Sequence, residues 1–141
     1  MRSLDVSINQ NFIKGKMSHF STIKTKLTNK DVLIKALNAL NYSTQESVLL
    51  VNPQDHDHQQ WHVEVAVNDF VGFKRAQDGT LQLVAELDAW KESIPVERFL
   101  EKVTQSYARE QLVETVQEKG YSVVSEQKSV DNTIELVVEK W

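Results

Sequence analysis

The hydrophobic positions of this chain change their period along its length, and each change marks an element. SHFSTIKTKL, from Ser18 to Leu27, alternates and is rich in β-branched residues, which predicts a strand. Thr28 followed by Asp31 three residues later has a capping-box pattern, with Thr28 as the expected N-cap. Val32, Leu33, Ala36, Leu37 and Leu40 then recur at helical spacing until Asn41-Tyr42 ends the run. ESVLLVN, Glu46 to Asn52, reads as a second strand. WHVEVAV follows, with Trp61, Val63, Val65 and Val67 expected on one face and His62, Glu64 and Ala66 on the other.

Two further strands, Phe70–Arg75 and Leu81–Leu87, flank Asp78-Gly79, a hairpin signal because glycine tolerates the positive φ of a tight turn. A longer helix is expected from Pro95 to Lys119. Pro95 suits a first turn, where its missing N–H costs nothing. Its apolar stripe runs through Val96, Phe99, Leu100, Val103 and Tyr107 to Ala108, Leu112 and Val116, and Gly120 closes it. YSVVSEQ and TIELVVEKW then form a final hairpin across SVDN.

The resulting order is β-α-β-β-β-β-α-β-β. It predicts an α+β fold: a mostly antiparallel sheet with two helices on one face. The two helix exits, LNALNYS and VQEKGYS, each lead through Tyr-Ser into a strand, which suggests a pseudo-duplicated strand–helix–hairpin unit.

Composition narrows the function more than the fold. A chain of 141 residues is one domain by size and buries a real core. The absence of cysteine excludes disulfides and thiolate metal sites, and no apolar run is long enough to span a membrane. The net charge of −4 is uneven. Residues 1–36 carry seven basic side chains against Asp5 and Asp31, a local balance of +5, which leaves −9 for the rest. Such asymmetry suits a local anionic partner near the N-terminus, though the two halves also neutralise each other on folding. Residues 1–16 lack the apolar core of a secretory signal. They are expected to be a disordered extension or the product of an upstream start, with residues 17–141 forming the domain.

Three stretches carry a family likeness: MSHFSTIKTKL at Met17–Leu27, VGFKRAQDGTLQLVAELD at Val71–Asp88, and the closing DNTIELVVEKW. Together they resemble the conserved hypothetical chloroplast reading frame thirty-five of algal plastids and cyanobacteria, a domain-of-unknown-function family. The resemblance spans nearly all of residues 17–141. It implies a plastid or cyanobacterial cytoplasmic setting, and it brings no catalytic residue, substrate or cofactor with it.

Four features remain as candidate chemistry. His56, His58 and His62 fall within seven residues beside Asp55 and Asp57, and imidazoles with carboxylates suit zinc, copper or nickel. The polar run PQDHDHQQ between two strands equally describes a solvated loop, which is the reading we favour. Nucleophile and phosphate-loop motifs are absent, so a non-enzyme is favoured and no cofactor is expected. Lys24 and Lys26 share the face of Phe20 on the first strand, and Lys30 and Lys35 follow on the first helix, a pattern open to RNA binding. Finally, Glu110, Glu114 and Glu118 stack at i, i+4 and i+8, at a cost of roughly 0.2–0.5 kcal/mol per like-charged pair. We read this strip, with Trp141 at the end of the chain, as a docking surface for a protein partner or for the N-terminal lysines of another copy. The expected function is therefore a protein-interaction or assembly module, with RNA binding and metal binding as alternatives.

Overall fold

The computed structural model describes residues 20–51, 60–90, 92–131 and 133–140. Its elements are β1 (Phe20–Ile23), α1 (Lys30–Ala39), β2 (Gln45–Val51), β3 (Gln60–Asn68), β4 (Val71–Arg75), β5 (Leu81–Glu86), α2 (Val96–Glu118), β6 (Tyr121–Lys128) and β7 (Ile134–Lys140). A single 3-10 turn at Leu87–Ala89 leads towards α2. The order is the one expected, and the described strands pair antiparallel throughout.

The first five strands form one sheet in the order β1-β5-β4-β3-β2. Along β5, Leu81, Leu83 and Ala85 join Val32, Leu33 and Leu37 of α1 and Phe99, Leu100 and Val103 of α2 in the main core. Val84 instead joins Phe20, Leu50, Val63 and Ala66 in a second cluster. Successive strand side chains point to opposite faces, so both helices cover one face and the smaller cluster lies on the other. The fold is α+β, as the periodicity implied. Residues 1–16, for which an extension was expected, lie outside the described residues.

Turns form where the local chemistry called for them. Asn41, at φ 70°, ends α1, and the N–H of Tyr42 returns to the carbonyl of Leu37 at 3.0 Å. Gly79 takes φ 90° in the β4–β5 turn, where Asp78 accepts from the N–H (3.0 Å) and hydroxyl (2.6 Å) of Thr80.

Four details differ from the expectations. First, β1 stops at Ile23, because the hydroxyl of Thr25 donates to the carbonyl of Leu81 at 2.6 Å in place of a backbone rung. Lys24 and Lys26 therefore sit on the connection to α1 and not on a strand. Second, the N-cap of α1 is Asn29, whose Oδ1 accepts from Val32 N at 3.1 Å. Just ahead of the helix, the N–H groups of Thr28 and Asn29 point at the hydroxyl of Tyr107, at 3.4 and 3.0 Å.

Third, β3 does not keep one facing. Trp61 and Val63 pack with the second cluster, whereas Val65 and Val67 face the helices. The switch falls opposite Ser47 of β2, which takes φ 54° between the Glu46–Val65 and Val48–Val63 pairs. Alternation assumes an unbroken pleat, so by itself it misassigns the residues beyond the switch. Fourth, the two hairpins of the suggested duplication part company. β2–β3 belongs to the five-stranded sheet, but β6–β7 forms a separate two-stranded sheet.

Candidate functional site

The acidic strip lies on α2, and the packing of that helix decides what the strip can do. Its buried residues are Val96, Phe99, Leu100, Val103 and Tyr107, all in the first half. Beyond Tyr107 the helix leaves the main core, and Leu112 is exposed. The sequence stripe continues to Val116, but Val113 and Val116 are only half-buried.

Two of the three glutamates are neutralised within the molecule. Glu110 accepts from Arg109 Nη1 at 2.6 Å and is largely buried. Glu114 accepts from Lys35 Nζ of α1 at 2.8 Å, and that carboxylate holds the Lys35 ammonium above its ordinary pKa. Glu118 is exposed. Arg109 also reaches both carboxylate oxygens of Glu126 on β6 at 2.9 Å, lowering the pKa of Glu126. The strip is thus partly a clamp, fastening α1 on one side and the β6–β7 hairpin on the other. A pattern of helical spacing gives no hint of this, since Lys35 and Glu114 stand 79 residues apart.

The hairpin itself is only lightly anchored. Val123, Leu136 and Val138 are half-buried, while Val124 and Val137 are each 53% exposed. Val124 is the extra residue where the register shifts between Val123 and Ser125, which brings it beside Val137 on one face. The turn is closed by side-chain hydrogen bonds. Asp131 accepts from the Ser129 hydroxyl and from Thr133 N, which pulls its pKa down to about 2.

The lysines singled out from sequence are divided as well. Lys30 pairs with Glu46 of β2 at 3.1 Å and Lys35 with Glu114, while Lys24 and Lys26 are exposed. Phe20, expected to share their face, is 3% exposed and has no ring surface to offer a base. Its ring packs 6.1 Å from that of Trp61, over which Lys74 Nζ stands at 4.6 Å.

Of the histidines, His62 is exposed on β3 opposite Leu49, while His56 and His58 lie outside the described residues, as does Trp141. Among the described residues no three His, Asp or Glu side chains are grouped so as to hold a metal. No described helix is long and apolar enough to cross a membrane.

One cleft escaped the sequence reading. It holds about 240 Å3 at the β3–β4 turn and is lined by Asn68, Asp69, Phe70, Val71, Ala89, Trp90 and Glu92. Glu92 accepts from the Tyr42 hydroxyl at 3.3 Å, and Trp90 Nε1 donates to the carbonyl of Ile94 at 2.8 Å. Desolvation, then Glu92, raises the Tyr42 pKa. Its lining comes from two segments some twenty residues apart and carries no periodic or motif signal.

These features define a small α+β domain. Residues 36–137 match the family described as a protein of unknown function, DUF1257. The chain belongs to that family. It is 32% identical over 132 residues to the uncharacterized protein ycf35 of Cyanophora paradoxa, a match covering 89% of this chain and 98% of the relative. The ycf35 proteins of Guillardia theta (29% over 138 residues) and Pyropia yezoensis (26% over 127 residues) match with the same coverage of both chains. No solved structure matches it. The resemblance noted from three stretches of sequence is therefore confirmed, and with it the plastid setting.

Proposed function

We propose that this chain is a non-catalytic protein-interaction or assembly module of the plastid, and that its contact surface is the distal half of α2 with the β6–β7 hairpin. The supporting observation is the exposure of apolar side chains there. Leu112 is 38% exposed and Val124 and Val137 are 53% exposed, on a part of the molecule that contributes little to its own core. A two-stranded hairpin is marginal by itself, and apolar residues framed by charge are what a partner surface needs at its centre. Glu118 supplies an exposed carboxylate at the edge, and Glu110 and Glu114 a second layer that is already paired. The partner surface is therefore apolar with a basic rim.

Co-purification tests this. A Glu110→Gln, Glu114→Gln, Glu118→Gln variant carrying Val137→Asp is expected to remain folded and to lose a protein that the unaltered chain retains after nuclease treatment. Retention of the same protein by the variant removes the surface from consideration. Loss of all retained protein on nuclease treatment removes the interaction reading and favours nucleic acid bound near Lys24 and Lys26.

A further inference from the structure

The walls of the cleft at the β3–β4 turn are held in place by contacts behind them. Trp90 Nε1 is tied to the carbonyl of Ile94 at 2.8 Å, and its ring meets Phe99 edge-on at 5.4 Å. Phe70 is fixed through its backbone. Its N–H donates to Asn68 Oδ1 at 2.8 Å, and its carbonyl accepts from Glu86 N at 3.0 Å. Glu92 is oriented by the Tyr42 hydroxyl on its Oε1, and Tyr42 stands edge-on to Phe99 at 5.2 Å. Anchoring of this kind sets the shape before a ligand arrives and so reduces the entropy lost on binding. Phe70, Val71, Ala89 and Trp90 make the lining mainly apolar, and Asp69 and Glu92 add two carboxylates. Among the described residues neither carboxylate has a cation within ion-pair distance. The described lining contains no lysine, arginine or histidine. A second cleft of about 200 Å3 adjoins the first and shares Asn68 and Asp69 with it.

We propose that this cleft binds a small organic amine, its ammonium group at Asp69 and Glu92 and its apolar body against Phe70, Val71 and Trp90. Two carboxylates repel an anion. A bare metal ion gains nothing from apolar walls, and no metal-holding group of side chains occurs among the described residues. A cation that carries apolar surface satisfies both parts of the lining at once. Aromatic rings attract such a cation as well as burying its carbon atoms. The volume of about 240 Å3 equals roughly eight waters at about 30 Å3 each, which suits one ring with a short chain. At the efficiency of ordinary small ligands, that size gives a Kd on the order of 1 mM for a simple probe. The cleft shares no residue with α2 or the β6–β7 hairpin, so either site can fail without the other.

Titrating the full chain with phenethylammonium chloride from roughly 0.1 to 20 mM, bracketing that constant, reads the site by amide NMR. Saturable shifts are expected at the Asn68–Val71 amides and at the Trp90 indole N–H. The uncharged isostere 2-phenylethanol is expected to bind at least about fivefold more weakly. Asp69→Asn and Glu92→Gln are each expected to melt like the parent. Asp69 is exposed, and glutamine keeps an acceptor for the Tyr42 hydroxyl. Each should weaken phenethylammonium about three- to fivefold, and leave 2-phenylethanol unchanged. A parent without saturable shifts at these positions overturns the proposal. So does 2-phenylethanol binding as tightly as the amine, or a parent-like affinity in both variants. Should a variant unfold, the amine-against-alcohol comparison on the parent decides. Nα-acetyl-lysine methylamide separates the sources of the amine. Binding tighter than phenethylammonium, and equally sensitive to the two carboxylates, assigns the site to a lysine of another polypeptide; weaker binding assigns it to a free small molecule.

Discussion

Lys35 of α1 donates to Glu114 of α2 across 2.8 Å, so a glutamate that the sequence offers to an outside partner is already occupied at home. The pair is exposed, and such pairs contribute little to stability. Glu114→Gln is expected to lower the melting temperature by no more than about 2 °C at low salt. At about 1 M salt, where screening acts within roughly 3 Å, the difference should vanish. A larger loss that persists at high salt would mean the carboxylate does more than pair with Lys35.

Gly72 is present because its neighbour leaves no room. A Cβ at this position would stand 2.9 Å from the carbonyl oxygen of Val65 and 3.0 Å from Cγ2 of Val63. A backbone oxygen within a sheet has little freedom to retreat. Gly72→Ala should destabilise the fold by about 1–3 kcal/mol, the usual range for overpacking, in a urea titration. Gly79 has φ 90° but nothing near its Cβ position, so Gly79→Ala would act by backbone strain alone.

The start of α1 hangs on the second helix. The hydroxyl of Tyr107, itself 6% exposed, accepts from the N–H groups of Asn29 and Thr28 at 3.0 and 3.4 Å. Tyr107→Phe keeps the ring and removes the acceptor. A loss of about 1 kcal/mol is expected, with faster hydrogen exchange at Asn29 as its local signature. An unchanged Asn29 amide would show that solvent substitutes for the hydroxyl.

Acid should loosen the junction between β3 and β4. Arg75 holds Glu64 through two bonds, Nη2 to Oε1 at 2.8 Å and Nε to Oε2 at 2.9 Å, and donates from Nη1 to the carbonyls of Thr28 and Gly79. Hydrogen bonding to Arg75 lowers the Glu64 pKa below its ordinary value. The folded state therefore binds this proton less readily than the unfolded chain does. The stability Glu64 contributes is complete above its unfolded pKa, near 4.3, and is lost as pH falls through the lower folded value. Glu64→Gln is expected to be less stable than the parent at neutral pH and to converge with it in acid. Parallel stability curves for the two proteins would contradict the assignment.

Much of this architecture is legible in the chain because it rests on local chemistry. The helix stripes at Val32–Leu37 and Val96–Tyr107, the Asp78-Gly79 turn and Gly120 at φ 87° all depend on residues a few positions apart. The candidate sites were less legible. The glutamates share one helix, as their spacing implies, but the groups that hold this surface come from elsewhere: Lys35 from α1 for Glu114, and Glu126 from β6 for the neighbouring Arg109. The Asp69–Trp90–Glu92 cleft had no local signal at all.

The sequence by itself determined the order of strands and helices, the places where the chain turns, and the family to which it belongs, because periodicity, glycine conformation and motif identity are properties of short segments. Only the tertiary structure decided which face of β3 each valine takes, which charges are spent on one another, and which edge strand carries exposed side chains. Those outcomes depend on pairs of groups brought together from distant parts of the chain. Lys35 meeting Glu114 and Ser47 turning β2 opposite Glu64 are settled by packing, which no local pattern encodes.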